Sequence, residues 1–384
     1  MDRFETIDPA YATGWLGDVL PGALTALGLP GLADPLGLSA ELAGVRQVVV
    51  LLVDGLGWHQ IAAGVDEAPT LAALAATRRP ITCGFPSTTP TSLVSLGTGA
   101  ASGAHGLLAF TSVLPGTDTV LVHTMWHDDP DPTTYQPVPL LFDRARSAGL
   151  DVVAVNRAMF AGTGLTKVIT GHRDYHAIQD SSELVEAVAA ELAAGKRLIY
   201  TYHPEVDATG HEYGYGSPVW RTAMRQTDEL VVRLIEALPP GAALVITADH
   251  GHLVSPPEHR LDLDAVPELT AGVRAIAGEP RVRHIHAVPG AEADVLAAYR
   301  ERLGKVAWVG TRDEAVATGW YGPFAPGHAE RLGDVMVICE GDWSLQATAR
   351  EPERAARLIG YHGARTRIEM EIPLLVAHSV APGR

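Results

Sequence analysis

The chain has 384 residues, of which 47% are hydrophobic and 19% are charged, a composition typical of a globular protein. Its 45 acidic and 29 basic residues give a formal net charge of −16, which disfavours binding to nucleic-acid polymers and to anionic membranes. No apolar run approaches the roughly 20 residues that a membrane-spanning helix needs. The opening segment lacks the basic and apolar regions of a signal peptide, so we expect a cytoplasmic protein.

Four short apolar runs, rich in β-branched residues, predict strands that are buried on both faces. They are residues 46–53, 150–156, 197–202 and 242–248. Helical patterns separate them. Asp180 and Glu183 have capping-box spacing before one helix, and Ser217 with Pro218 opens a long helix that reaches about Leu238. This alternation predicts an α/β fold with a mostly parallel central sheet that helices cover on both faces.

The pattern changes after His252, and strand-like and helical segments alternate over residues 283–320. We expect residues 261–332 to form a small α+β cap insertion within a catalytic domain made of residues 44–260 and 333–384. Two later strand-like runs, 334–341 and 368–377, are candidates to join the main sheet. Residues 1–43 are predicted to be an N-terminal helical extension, and they indicate no function.

Polar residues directly follow three of the predicted strands. They are Asp54, Asp207, His211, Asp249 and His250. Ligands of an open parallel sheet bind beyond the carboxyl ends of its strands. One such aspartate is as often a turn residue as a ligand, but three in one chain, two with histidine, indicate a divalent-metal site. Because the chain has only two cysteines, the expected ligands are oxygen and nitrogen.

Thr89 stands directly before Pro90, which suits the first position of a helix. Backbone N–H groups at a helix N-terminus favour a phosphate, and an adjacent metal would lower the hydroxyl pKa enough to make a nucleophile. The alternative is that Thr89 only caps the helix. His362, in a glycine-flanked loop, is by itself typical of a surface residue.

Taken in order, these motifs with Thr98-Gly99, His105-Gly106 and His362-Gly363 resemble the alkaline phosphatase superfamily, and within it the nucleotide pyrophosphatase/phosphodiesterase branch. The resemblance spans about residues 46–384 and implies two divalent metal ions, with zinc preferred over manganese or iron. Asp54, Thr89, Asp249 and His250 resemble the ligands of one metal, and Asp207, His211 and His362 those of the other. It further implies that Thr89 attacks phosphorus and forms a phosphothreonine, which water hydrolyses.

The resemblance leaves Thr88 as a competitor for the nucleophile. The nine-residue spacing to Thr98 selects Thr89, whereas matching Pro90 to the proline of the family's phosphodiesterases selects Thr88. Ser92 stands where those enzymes have an asparagine that contacts the phosphoryl oxygen.

Other residues are candidates for supporting roles. Trp126, Tyr213 and Tyr215 are aromatic side chains that could stack on a nucleobase. His203 and His252 flank the motifs and are expected to orient the ligands.

The expected substrate is a small phosphoester, nucleotide or phosphonate. Phosphomonoesterases of the superfamily that the chain resembles place an Arg or Lys near the nucleophile, and none lies between Ile81 and Asp143. The resemblance therefore favours diesters and phosphoanhydrides over monoesters. The alternatives are a phosphonate C–P hydrolase of the phosphonoacetate hydrolase type, a phosphomonoesterase, and a degenerate metal-binding protein without activity. The sulfatase pattern C/S-x-P-x-R is missing around Cys83.

Overall fold

The computed structural model describes residues 2–11 and 13–379. The helices are α1 (Val19–Ala26), α2 (Leu38–Glu41), α3 (Trp58–Ala63), α4 (Pro69–Ala75), α5 (Thr89–Thr98), α6 (Ser102–His105), α7 (Pro132–Tyr135), α8 (Leu141–Ser147), α9 (Gly164–Thr170), α10 (Leu184–Ala193), α11 (Glu205–Tyr213), α12 (Pro218–Glu236), α13 (Pro267–Thr270), α14 (Glu292–Leu303), α15 (Arg312–Ala317) and α16 (Arg367–Met370). The strands are β1 (Gln47–Val53), β2 (Ile81–Thr82), β3 (Thr111–Val113), β4 (Val120–Val122), β5 (Val152–Arg157), β6 (Tyr175–Ile178), β7 (Leu198–His203), β8 (Ala242–Thr247), β9 (Leu253–Val254), β10 (Arg260–Asp262), β11 (Val273–Glu279), β12 (Val282–Ala287), β13 (Ala307–Thr311), β14 (Val335–Cys339), β15 (Ser344–Gln346), β16 (Gly360–Tyr361), β17 (Glu371–Ile372) and β18 (Leu374–His378).

The central sheet has six strands in the order β18-β8-β1-β7-β5-β6. All neighbours pair in parallel except β18, which runs antiparallel to β8 at one edge. The four predicted strands of this sheet are present, and residues 48–53 of the central strand β1 are fully buried, so both of its faces are covered. The predicted α/β fold with a mainly parallel sheet is therefore confirmed.

The helices that cover this sheet pack in two groups. Helices α4, α10 and α12 contact one another in series and lie against β18, β5 and β8. Helices α1, α5, α8 and α9 form the other group, which places α5 in contact with both α1 and α9. The predicted start of the long helix is confirmed, since the Ser217 hydroxyl accepts the Trp220 N–H and Pro218 occupies the first turn of α12. Among the described residues, no helix is both long and apolar enough to cross a membrane.

A second, antiparallel sheet has the order β11-β12-β14-β13 and its own apolar core, in which Ile285 and Val337 pack against Tyr299 of α14. The expectation that residues 334–341 join the main sheet is wrong, because β14 pairs with β12 and β13 in the second sheet. A short buried apolar run shows no periodicity that tells which sheet it enters. The later of the two runs, residues 368–377, does supply β18 of the main sheet. The proposed domain boundaries stay a prediction.

The N-terminal segment packs into the main core rather than standing apart from it. Leu16, Val19 and Leu20 are fully buried in the same cluster as the central strands. Further upstream, Thr6 forms a β-bridge with Thr366, close to the loop that carries His362. The chain therefore brings residues from both of its ends to the same place.

A buried ion pair joins the second sheet to this same C-terminal segment. Nε and Nη2 of Arg281, in the turn between β11 and β12, donate to the two carboxylate oxygens of Glu369 at 2.9 and 2.8 Å, and both side chains are fully buried. Glu369 also accepts the backbone N–H of Ala364, two residues beyond His362. The pair thus fixes the His362 loop against the second sheet.

Replacing Arg281 with Ala is expected to destabilise the fold by about 3–5 kcal/mol, because it leaves the Glu369 carboxylate buried without a partner. The measurement is the midpoint of urea unfolding. The matched control is Arg300→Ala, which breaks an exposed pair with Glu314 and should change stability by at most about 1 kcal/mol. Equal shifts for the two variants would contradict a structural role for the buried pair.

Candidate metal and phosphate site

One group of polar side chains lies where β1 and β8 end. Asp54 directly follows β1, and Asp249 and His250 come shortly after β8. The Nε2 atom of His250 is 3.3 Å from Oδ1 of Asp54 and 3.5 Å from Oδ2 of Asp249. Both of these carboxylate oxygens are buried and accept no hydrogen bond from the described residues. Three buried ligand-type atoms therefore face one another.

The other carboxylate oxygens in this group hold the side chains in place. Oδ1 of Asp249 accepts the Gly55 N–H at 3.1 Å, and Oδ2 of Asp54 accepts the hydroxyl of Tyr202. Gly55 has a φ of +70°, and a Cβ there would lie 2.9 Å from the Cα of Asp207. Glycine at this position is thus required both by the turn and by the close approach of α11.

Thr89 is the first residue of α5 and lies beside this group. Its Oγ1 is 3.2 Å from Nε2 of His250. Nδ1 of His250 donates to the Gly251 carbonyl at 3.0 Å, so Nε2 is the acceptor and the Thr89 hydroxyl donates to it. Thr88, by contrast, is fully buried at the N-cap position, and its hydroxyl has no partner among the described residues. The geometry thus brings the hydroxyl of Thr89, and not that of Thr88, to the group formed by Asp54, Asp249 and His250.

A second group forms around Asp207 and His211, which lie one turn apart on α11. Oδ1 of Asp207 is 3.4 Å from Nε2 of His211, 3.3 Å from Nε2 of His252 and 3.7 Å from Nε2 of His362. His252 was expected only to orient ligands, but it lies in the group itself. The structure thus brings together all seven residues predicted to bind metal.

Hydrogen bonds fix the tautomers of the two histidines that the resemblance assigns to this group. Nδ1 of His211 donates to the Gly360 carbonyl and Nδ1 of His362 to the Ser87 carbonyl, each at 2.8 Å. Both Nε2 atoms therefore carry lone pairs, and these two atoms are only 3.1 Å apart. Two facing lone pairs repel unless a cation lies between them, and this arrangement is the one in which histidines bind metals.

The distances also fit the size of a metal site. Ligands at 2.0–2.2 Å from a tetrahedral zinc ion lie about 3.3–3.6 Å from one another, and the distances around Asp207 and His250 are 3.3 to 3.7 Å. The rings of His250 and His362 stack with centroids 3.5 Å apart, so the two groups adjoin. The residues present therefore fit a pair of neighbouring divalent cations.

Burial makes this collection of charges unfavourable without cations. It raises the pKa of the Asp54 carboxyl well above its usual range, and the neighbouring carboxylates of Asp249 and Asp207 raise it further. Burial also raises the pKa of Asp249. It lowers the pKa of His252 to about 4 and that of His362 well below its usual range, so both imidazoles are neutral at pH 7.

The family model for type I phosphodiesterase/nucleotide pyrophosphatase matches residues 48–365. The chain belongs to this family. Its members are hydrolases that act on phosphoester bonds, and a divalent-metal site agrees with the two clusters of ligand-type residues.

Similar proteins support the same fold. Murine ectonucleotide pyrophosphatase/phosphodiesterase 5 has a TM-score of 0.67 and 19% identity, covering 88% of this chain and 89% of that protein. Phosphonoacetate hydrolase from Sinorhizobium meliloti 1021 has a TM-score of 0.67 and 18% identity, covering 88% and 91%. At these identities the likeness concerns the fold alone. Phosphopentomutase from Tolumonas auensis is 30% identical over 121 residues, which are 30% of this chain and 27% of that protein.

Two of the predicted substrate contacts are wrong. The Ser92 hydroxyl donates to the Asp249 carbonyl at 2.8 Å and is fully buried, so it has no proton for a phosphoryl oxygen. Trp126 is also buried; its indole N–H donates to the Pro130 carbonyl and its ring packs edge-on against Tyr135, so no face is open to a nucleobase. An aromatic residue in a loop gives no sequence signal that separates packing from binding.

Tyr213 and His203 are two further residues that were predicted to support the site. Tyr213 ends α11 with 45% of its surface exposed, and its stacking role stays a prediction. The imidazole of His203 contacts Glu205 and Thr227 rather than a side chain of either cluster. The His203 carbonyl, however, accepts the backbone N–H of Asp54 at 2.9 Å.

Tyr202 is a site residue that sequence reasoning missed. It lies inside strand β7, where alternation with buried neighbours makes an aromatic residue look like core. Its hydroxyl nevertheless bonds to Asp54 across the β1–β7 pair. The only available signal was its position one residue before the end of a strand.

We expect Asp249→Asn to stabilise the metal-free protein at pH 7.5. A carboxyl whose pKa is raised on folding favours the fold in its protonated form, and this stability is lost as the pH rises from the unfolded value of about 3.9 through the folded pKa. The stabilisation by Asn should therefore be smaller at pH 5. The measurement is the urea midpoint after treatment with a chelator, with the exposed Asp66→Asn as control.

Adding zinc should then raise the midpoint of the unmodified protein more than that of Asp249→Asn. The reverse order would refute the site.

Proposed function

We propose that this protein is a metal-dependent phosphodiesterase or nucleotide pyrophosphatase that works through a covalent phosphothreonine at Thr89. The observation that carries the proposal is the contact of Thr89 with a cluster of three buried ligand atoms whose lone pairs have no other partner among the described residues. This cluster adjoins a second one, as two-metal phosphoryl transfer requires.

The proposed metal ligands are Asp54, Thr89, Asp249 and His250 on one side and Asp207, His211 and His362 on the other. Zinc fits this set of carboxylate and imidazole ligands, and manganese or iron are alternatives. Bound there, two divalent cations would neutralise phosphoryl charge and lower the pKa of the threonine hydroxyl.

The chain itself supplies the position and orientation of the nucleophile. Thr89 lies at the positive end of α5, where the helix dipole favours a phosphate. The Ser92 hydroxyl ties the second turn of α5 to the Asp249 carbonyl, so the helix and the ligand loop are held together. In the reaction, Oγ1 of Thr89 forms a bond to phosphorus, the leaving oxygen departs with its electron pair, and the threonine proton goes to solvent. Water then cleaves the phosphothreonine.

The proposal is tested first by a hydrolysis screen of the zinc-loaded protein. We expect bis-p-nitrophenyl phosphate or a nucleotide pyrophosphate to be cleaved faster than p-nitrophenyl phosphate, because no Arg or Lys between residues 81 and 143 is available to neutralise a dianion. Phosphonoacetate in the same screen tests the alternative reaction of C–P cleavage. Preference for phosphonoacetate would replace the diesterase proposal with that alternative.

Thr89→Ala should lower kcat by several orders of magnitude, because the attacking oxygen is removed. Thr89→Ser should retain part of the activity, since its hydroxyl can perform the same attack with less restricted rotamers. The matched control is Thr88→Ala, which deletes a neighbouring buried hydroxyl that has no hydrogen-bond partner among the described residues, and which should be much milder. If Thr89→Ala kept near-normal turnover, the covalent mechanism would be wrong. If Thr88→Ala were the inactive variant, Thr88 would be the nucleophile.

A further inference from the structure

Three consecutive residues with hydroxyl side chains, Ser87, Thr88 and Thr89, lead into α5. The Thr89 hydroxyl bonds to His250, and that of Thr88 has no partner among the described residues. The Ser87 hydroxyl bonds instead to the loop that carries His362. The proposed reaction gives Ser87 no role, although it lies only two residues before the proposed nucleophile.

Four hydrogen bonds join Ser87 to residues 362–364. The Ser87 hydroxyl donates to the Ala364 carbonyl at 2.7 Å and accepts the Gly363 N–H at 3.1 Å. The Ser87 N–H donates to the Gly363 carbonyl at 3.0 Å, and the Ser87 carbonyl accepts Nδ1 of His362 at 2.8 Å. The side chain and both backbone groups of Ser87 therefore bond to this one loop.

The Ser87 hydroxyl is matched to this loop in both of its bonding capacities. It gives its proton to a carbonyl and uses a lone pair for an N–H group, and alanine could do neither. Ser87 and residues 362–364 are all buried, so bulk water does not compete for these groups. Removing the hydroxyl would leave a buried carbonyl and a buried N–H without these partners, which is unfavourable for both.

These bonds close a circuit through the candidate site. The Ser87 carbonyl holds the ring of His362, which stacks on the ring of His250 with centroids 3.5 Å apart. Nε2 of His250 lies 3.2 Å from Oγ1 of Thr89, and two peptide bonds lead from Thr89 back to Ser87. Each proposed metal cluster contributes one of the two stacked histidines, so the circuit includes both clusters.

The loop is fixed on another side by a different set of contacts. The Ala364 N–H donates to Glu369, which pairs with Arg281 of the second sheet. These contacts fix the loop against the second sheet, whereas the bonds of Ser87 fix it against the segment that leads to Thr89. The two sets therefore have separate effects on the geometry of the site.

We propose that Ser87 is a positioning residue that couples the two metal clusters, because it holds His362 in register with Thr89 and thereby sets the affinity of the second cluster for its metal ion. The inference rests on the proposed two-metal function. Residues that orient a metal ligand typically change metal affinity about 10- to 100-fold when they are removed. The described hydrogen bonds of Ser87 reach the loop of the second cluster and no carboxylate or imidazole of the first, so the loss should fall on the second metal ion.

The test is a calorimetric titration of the metal-free protein with zinc, which needs no turnover. The unmodified protein should show two binding steps. Ser87→Ala should weaken the step of the second cluster about 10- to 100-fold and leave the other step unchanged. Two reference variants assign the steps, since His211→Ala removes a proposed ligand of the second cluster and Asp249→Asn alters a proposed ligand of the first.

The matched control is Ser344→Ala. Ser344 is also a fully buried serine, and its hydroxyl donates to that of Ser255 at 3.1 Å, outside both clusters. This variant should leave both zinc steps unchanged. A selective loss of the second step in Ser344→Ala as well would overturn the proposal, because the effect would then not depend on the contacts of Ser87.

Two further variants of Ser87 support the comparison. Ser87→Thr keeps the hydroxyl and should restore the second zinc step at least in part. Ser87→Cys nearly keeps the size of the side chain but weakens both of its hydrogen bonds, so it carries the test if Ser87→Ala does not fold. A thiol that bound zinc would raise the affinity, so a fall in affinity reports the weakened hydrogen bonds. Equal loss at both steps, or no loss at either, would overturn the proposal.

Turnover separates this inference from the proposed reaction. If the selective loss of zinc affinity is found but no phosphoester is hydrolysed, the proposal for Ser87 stands and only the proposed function fails. If bis-p-nitrophenyl phosphate is hydrolysed, Ser87→Ala should need about 10 to 100 times more zinc for half-maximal activity, with a near-normal kcat at saturating zinc. An unchanged zinc requirement would overturn the proposal for Ser87 and leave the proposed function intact.

Discussion

Three neighbouring carboxylates at the carboxyl end of the central sheet, two of them buried and that of Asp207 partly buried, are the constraint on which the rest of the structure depends. Asp54, Asp207 and Asp249 come from different parts of the chain, and the parallel order of β7, β1 and β8 brings their carboxyl ends together. Burying such charges without compensation is strongly unfavourable. The surrounding backbone therefore holds the site residues in place. An N–H group donates to Asp249, and carbonyl groups accept the Nδ1 protons of His211, His250 and His362. Glycine at position 55 allows α11 to come close.

The second sheet takes part in holding this edge, although it contributes no residue to either cluster. The turn between its first two strands places Arg281 on Glu369 and Glu279 against Gly363, which follows His362 directly. A Cβ at residue 363 would lie 2.7 Å from the Cγ of Glu279. The loop that positions His362 is thus clamped between the two sheets, so the proposed cap also acts as a support for the site.

The central strands, the long helix and the candidate ligands Asp54 and Asp249 could be predicted from sequence because each has a local signature. Continuous β-branched runs mark buried strands, and Asp54 or Asp249 directly after such a run marks a sheet edge. The pairing of β14 and the burial of Trp126 could not be predicted, because both depend on which distant segment a side chain meets. His362 could be placed only by resemblance, since its partner Ser87 is far away in sequence.

The sheet order also has a consequence for how the protein is made. Residue 54 leaves the ribosome about three hundred residues before residue 362, an interval of roughly 15–60 s at 5–20 residues per second. β8 is complete only at residue 247, and from then until β18 begins at Leu374 its outer side has no partner. The nascent chain thus carries an open strand edge beside a cluster of negative charge. Asp249 lies two residues beyond the end of β8, and a charge beside an open strand edge opposes pairing with other chains until β18 is made.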